Sequence, residues 1–305
     1  MNRLKAAYLI STLLFAACSS APPAPDGVQD RKNRAADYLK FGQQSFQAAQ
    51  YDQALSFYQI ALDLDTAVDH EAGMAAAWNS VAMAQTALGK TEEARTSLTQ
   101  AEAMAKLAGD RTLILQVEVN LVQADLSDGN NEGARRRLVS LQPFPETVEG
   151  AALEHASGLL EKNLDHPAQA LAAFDKALAV NQKLGLKQEM ASNHFMKASV
   201  LGRQGNWKGA RAELETALTL DRLMENTMGI GQDWRALGTV ALRLEKPHDA
   251  FDAYVRAERI FQTAGLADQQ RKTVEQLLPV IATLGLADEK ARYQAILDKL
   301  THPVP

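Results

Sequence analysis

The chain of 305 residues contains a single cysteine, Cys18, so no disulfide can close within it and no cysteine-based zinc or iron–sulfur site can form. Glycine (18) and proline (10) are sparse and well separated, and the alternating apolar pattern of half-buried strands is absent. An excess of positive charge is missing too. Thirty-two basic residues face 37 acidic ones, with no Lys/Arg block, which disfavours nucleic-acid binding and charge-driven adsorption to anionic lipid. There is no phosphate loop, no His-Glu-x-x-His, no Gly-x-Ser-x-Gly and no dinucleotide-binding glycine fingerprint. Gly229-Ile230-Gly231 has no strand before it and reads as a helix start. The six histidines are isolated in sequence. No metal, cofactor or catalytic residue is therefore expected, and the chain reads as a non-enzyme.

What is present begins at the N-terminus. Arg3 and Lys5 give a basic start, and Ala6 to Ala17 form an apolar stretch followed by small residues, the three parts of a secretory signal. As a helix that stretch spans about 18 Å, short of the roughly 30 Å needed to cross a bilayer core. Two processing routes fit. Signal peptidase I could cut after Ser19, with Ala17 and Ser19 in the small-residue slots. Alternatively, Phe15-Ala16-Ala17-Cys18 resembles a bacterial lipobox, with Phe15 where Leu, Val or Ile is usual. That resemblance implies residues 1–17 as signal peptide, lipid on Cys18, and a tether over 18–33 (SSAPPAPDGVQDRKN after the cysteine) too poor in large apolar residues to fold. It also implies a cell-envelope protein anchored in a membrane by lipid. Ser19 after the cysteine points to the outer membrane, facing the periplasm. Loss of Arg3 and Lys5 would leave 30 basic against 37 acidic residues, a net charge of −7.

Beyond the tether, Ala, Leu, Glu, Gln and Lys dominate and favour helix. The chain then repeats. Six segments carry a small alanine, a large residue four later and an alanine or leucine three beyond: Ala54-Tyr58-Ala61, Ala94-Leu98-Ala101, Ala134-Leu138-Leu141, Ala170-Phe174-Ala177, Ala210-Leu214-Ala217 and Ala250-Tyr254-Ala257. Their leading alanines are evenly spaced except for one shorter step, from Ala134 to Ala170. Offsets of four and three share one helical face, so each triplet is one side of a helix. A turn precedes each, as in Gly89-Lys90-Thr91-Glu92 or Asp165-His166-Pro167, and another amphipathic helix precedes the turn. With Trp78…Val81-Ala82 and Trp234…Leu237-Gly238, this resembles the tetratricopeptide repeat family. The resemblance implies an all-α, right-handed superhelical solenoid of about six two-helix repeats over 34–265. A capping helix pair over 266–305 would end it, roughly Asp268–Leu284 and Asp288–Leu300. The period is longer than the family's, which implies that both helices of a unit are lengthened. Glu118, Asp125 and Lys197 occupy positions where the family carries large residues.

His194 and the tryptophans Trp78, Trp207 and Trp234 read as packing residues. In the family, the first helix of each unit lines the concave groove. Transferred to this register, the groove carries Gln43, Asn79, Gln116, Gln123, Lys162, Asn163, Arg203, Arg235 and Arg243. Asn and Gln can hydrogen-bond a peptide backbone. No acidic residue falls on these positions, and Lys162, Arg203, Arg235 and Arg243 make the C-terminal half basic, suited to an acidic partner segment. The chaperone-binding version of the fold has Lys and Asn where this chain has Leu39 and Gln43, so that partner is not implied. The resemblance thus implies a scaffold or adaptor for other proteins, in assembly of an envelope or secretion complex. Its alternative is a periplasmic sensor of a peptide or small ligand. Intact mass of the membrane-bound form decides the anchor. Lipid on an N-terminal Cys18 is expected, and an unmodified Ser20 N-terminus would remove it.

Overall fold

The computed structural model describes residues 27–302, which form 14 α-helices; no strand occurs among the described residues. Six antiparallel hairpins follow one another. They are α1 (Val28–Gln47) with α2 (Tyr51–Thr66), α3 (Glu71–Ala87) with α4 (Thr91–Ala108), and α5 (Arg111–Ser127) with α6 (Asn131–Ser140). The second three are α7 (Val148–Asn163) with α8 (Pro167–Leu184), α9 (Lys187–Arg203) with α10 (Trp207–Leu223), and α11 (Thr227–Arg243) with α12 (Pro247–Thr263). A last pair, α13 (Ala267–Thr283) and α14 (Ala287–Thr301), continues the array. The architecture is a right-handed superhelical solenoid of tetratricopeptide type. Cys18 and the expected signal peptide lie outside the described residues.

Each hairpin, the last pair included, is closed by one residue in the left-handed conformation, at 49, 89, 129, 165, 205, 245 and 285. Gly fills this place at 89, 129, 205 and 285, where a side chain would be strained. Side-chain caps then start several helices. Asn130, Asn206 and Asn226 each accept the N–H of the glycine three residues on, satisfying one of the orphan donors of the first turn.

Within each hairpin, one contact recurs. The large residue of the even-numbered helix lies against a small residue of its odd-numbered partner, and the two sizes are matched. Tyr58 faces Gly42, Phe174 faces Gly158 and Tyr254 faces Gly238; a β-carbon on any of these glycines would come under 3.0 Å from the ring. Where the large residue is leucine, the small one grows. Leu98, Leu138 and Leu214 share their core clusters with Ala82, Val122 and Ala198. All six large residues are at most 3 % exposed.

The third unit is built differently, which explains the short step from Ala134 to Ala170. α6 has only 10 residues, because Pro143 and Pro145 follow it without amide hydrogens to continue the ladder. The expectation of lengthened helices therefore fails in this unit. Segment 141–147 takes the place of the missing turns, with Leu141 and Phe144 packed on the core. The acidic residues at its family-large positions are buried and paired. Arg137 reaches Glu118 (3.0 Å) and Asp125 (3.3 Å), and Arg95 reaches Asp125 (3.0 Å) and Asp128. In the fifth unit Lys197 is answered likewise by Asp175 and Glu213, both at 2.9 Å.

Helix α1 begins at Val28, so residues 28–33 of the expected tether are helical. Asp30 in the first turn favours the helix dipole and Gln29 bonds Asn33 one turn on, so local propensity suffices without large apolar residues. At the other end, α13 and α14 match the expected capping helices to within one position at each end. Only Tyr293 of α14 is buried; the rest of its surface is half-buried or solvated, as a terminal repeat requires.

Odd-numbered helices touch their odd-numbered neighbours from α1 to α9, whereas successive even-numbered helices make no comparable contact among the described residues. The odd helices therefore lie on the shorter, inner arc. The contact between α5 and α7, flanking short α6, is the most extensive of these. The size match makes a test. Gly158→Ala should overpack Phe174 and destabilise the chain by roughly 1–3 kcal/mol, and adding Phe174→Leu should recover part of the loss. Denaturation midpoints of the two variants measure both effects.

Candidate functional site

All nine residues expected to line the groove lie on odd-numbered helices, α1 to α11, and so on the inner-arc elements. They are not equivalent. Asn79 accepts from Asn120 Nδ2 (2.7 Å), Gln116 donates to Glu149 (3.1 Å), and Arg235 donates to Gln269 (2.8 Å). Each bond joins adjacent inner helices, so these three hold the array together. Arg235 also stacks 5.6 Å from the Phe261 ring, and burial lowers its guanidinium pKa. Gln43, Gln123 and Asn163 are exposed and make no side-chain hydrogen bond among the described residues. Glu149, beside Gln116, is an inner-face acid that the family register does not pick out.

The remaining cations gather at one edge. Lys162, Arg203 and Arg243 each sit in the last turn of an inner helix, α7, α9 and α11, where positive charge favours the dipole. Arg203 donates to the Lys162 carbonyl (2.9 Å). Burial, and then the charge of Arg203, pulls the Lys162 ammonium below its ordinary pKa. Arg243 lies over the Trp207 ring, 5.6 Å from its centre. Among the described residues none of the three pairs with a carboxylate; Asp165 shares a shallow hollow with Lys162 and Arg203 but makes no ion pair with either.

Two cavities open at equivalent repeat positions, each between the C-terminal halves of consecutive inner helices and floored by the outer helix between them. The first, about 520 Å³, lies among α3, α4 and α5 and is lined by Phe46, Met83, Leu98 and Gln123. The second, about 340 Å³, lies among α9, α10 and α11 and is lined by Phe195, Ser199, Trp207 and Val240, with Arg203 at its rim. Trp78 and Trp234 pack between helices as expected. Trp207 packs too, but it also lines this second cavity. Its position gave no hint, because Tyr51 opens α2 as Trp207 opens α10, and Tyr51 packs against Phe46.

His194 is half-buried and paired with Glu213 (2.5 Å), and His155 bonds Asn193 (2.9 Å) under a burial that lowers its pKa. Gly229-Ile230-Gly231 lies in the first turns of α11, a helix start as expected. Among the described residues no three His, Cys, Asp or Glu side chains gather as a metal site would need, and no helix is long and apolar enough to cross a membrane.

A buried acid pair underlies the junction of the fifth and sixth units. Asp221 (5 % exposed) and Asp233 (1 %) meet there, and Asp233 Oδ2 has no donor among the described residues. Burial, then the charge and hydrogen bond of Asp221, raises the Asp233 pKa to about 8. Protonated, Asp233 donates to its neighbour. One repeat earlier, Asn181 and Asn193 occupy the same two places, both buried.

Geometry and repeat pattern together define a tetratricopeptide-type solenoid, and the comparisons bear on that class. No family model matches the chain, and no curated protein matches its sequence. Solved structures do match in shape. The apo quorum sensor NprR from B. thuringiensis superposes with a TM-score of 0.70 at 14 % identity, covering 89 % of this chain and 77 % of that one. A Rap protein complexed with competence and sporulation factor gives 0.64 at 15 %, covering 88 % and 75 %. PilF of Pseudomonas aeruginosa gives 0.55 at 18 %, covering 76 % and 94 %. At such identities the likeness shows the fold.

The acid pair makes a pH prediction. The folded pKa of Asp233 lies above the unfolded value, so the folded state holds a proton the unfolded chain releases. The resulting stability is fully present below about pH 4 and is lost as pH rises through about 8. Melting temperature should therefore fall between pH 5 and 9, and Asp233→Asn, a permanent mimic of the protonated acid, should flatten that fall.

Proposed function

We propose that the chain is a non-catalytic scaffold that grips an extended segment of another protein along its inner face. The observation that carries this reading is the contrast among inner-face polar groups. Asn79, Gln116 and Arg235 are spent on neighbouring helices, whereas Gln43, Gln123 and Asn163 present free amides, that of Gln123 at the wall of an open cavity. Amides of this kind offer a donor and an acceptor together, which suits an extended backbone. The chain is exported, processed before Cys18 and anchored by lipid in the outer membrane, so that the solenoid faces the periplasm. There it serves assembly of an envelope or secretion complex. This reading of location rests on the N-terminal residues Arg3 to Cys18.

A second reading, a sensor for a short free peptide, is favoured by the likeness to NprR and to the Rap complex. One experiment separates the two. A photo-cross-linking amino acid at Gln123, on the inner face, should capture a specific protein in cells, and one at exposed Gln169 of outer helix α8 should not. Capture at both positions, or at neither, overturns the scaffold. The sensor instead predicts no protein adduct and a raised melting temperature with periplasmic peptide extract.

A further inference from the structure

The two equivalent cavities differ in charge, and the difference identifies what one of them would hold. In the cavity among α3, α4 and α5 the cation present is Arg95, and it is answered inside the chain by Asp125 and Asp128. Ala87 and Ser127 occupy the repeat positions of Arg203 and Arg243 there, so the rim adds no charge. In the cavity among α9, α10 and α11 the pattern is reversed. Its walls are apolar, from Phe195, Trp207, Leu214 and Val240, and no acidic residue lines it. Arg203 stands at the rim, Arg243 lies over Trp207, and neither meets a carboxylate among the described residues. The half-buried Ser199 hydroxyl in the wall has no hydrogen-bond partner among the described residues either.

Arg203 and Arg243 are both exposed, so water screens them without a counter-charge from the chain, and both guanidinium groups stay available beside the apolar cavity. Helix-dipole compensation accounts for cations in the last turns of α9 and α11. It does not account for an aromatic wall and an unpartnered hydroxyl between them. We infer that this cavity is the anchor of the groove: it seats a bulky apolar side chain of the bound segment, while Arg203 and Arg243 hold the carboxylate beside that side chain. The inference rests on the groove-binding reading above and names its ligand chemistry. Guanidinium groups pair with carboxylates through two parallel hydrogen bonds, which gives direction as well as attraction. The carboxylate can be a chain terminus or an Asp or Glu side chain, and the two are separable.

The test uses the full chain as purified from cells and three fluorescent peptides. One ends in Ser-Gly-Leu with a free carboxylate, one is its C-terminal amide, and one is an amide ending in Asp-Gly-Leu. Fluorescence anisotropy should show binding of the free acid, of the Asp-bearing amide or of both, which assigns the source, and weaker binding of the neutral amide. Arg203→Glu with Arg243→Glu should weaken the binding roughly tenfold or more, since hydrogen bonds to charged groups are lost. Ser199→Leu, which fills the cavity and leaves the charges in place, should weaken it as well. Circular dichroism melts confirm that each variant is folded. Equal binding of all three peptides, binding of none, or unchanged affinity in both variants overturns the anchor. Protein capture at Gln123 that persists in such a case leaves the scaffold standing and removes only this site.

Discussion

Everything in this molecule depends on one contact, the seat of a large residue from each outer helix on a small residue of its inner partner. That contact sets the distance between the two helices of a hairpin. Six seats of similar combined size therefore give six hairpins of similar geometry, which is what lets them stack. The pairs Gly–Tyr, Gly–Phe, Ala–Leu and Val–Leu are different solutions to the same spacing. Close packing leaves little slack, so a residue that grows on one side must shrink on the other. The inner arc, its cavities and its polar groups are all consequences of the hairpins standing at that distance.

Half of this constraint is legible in the sequence. The triplets on the outer helices, in phase along the chain, point to the all-α repeat and its hairpins, because periodicity depends only on spacing. The matching half lies upstream on the other helix, as Gly42 does from Tyr58, and a triplet confined to one helix does not contain it. The start of α1 is hidden for a related reason. Residues 28–33 have few apolar side chains, yet helix formation there needs only propensity and a favourable first turn. Glu118, Asp125 and Lys197 look like departures from the pattern. They are ion pairs whose partners, Arg137, Arg95, Asp175 and Glu213, all sit on other helices, some of them in a neighbouring unit.

The candidate site is legible as a set of positions and not as a set of roles. The nine residues share the odd-numbered, inner helices. Register does not tell which of them are free, because the partners of Asn79, Gln116 and Arg235 come from the inner helix of the following unit. Trp207 reads as packing because it begins an outer helix, where tryptophan fills space between neighbours. Its second side becomes visible only when the ends of α9 and α11 are brought to it.

The short third unit has a further meaning for the molecule as a mechanical object. A stack of identical elements shares load evenly, and it has no preferred place to yield. Here one period is cut short, and α6 has lost nearly half its length relative to its fellow outer helices. The adjoining inner helices α5 and α7 lie in contact across it, and Arg137 ties short α6 to Glu118 and Asp125 of α5. Such a fault behaves as a dislocation in a one-dimensional crystal. The repeat no longer continues evenly across it, and the most extensive contact between successive inner helices falls there. Of the nine groove residues, the uncharged Gln43, Asn79, Gln116 and Gln123 lie up to the fault and the four cations lie beyond it, so a segment laid along the whole inner face would meet amides on one side of the break and positive charge on the other.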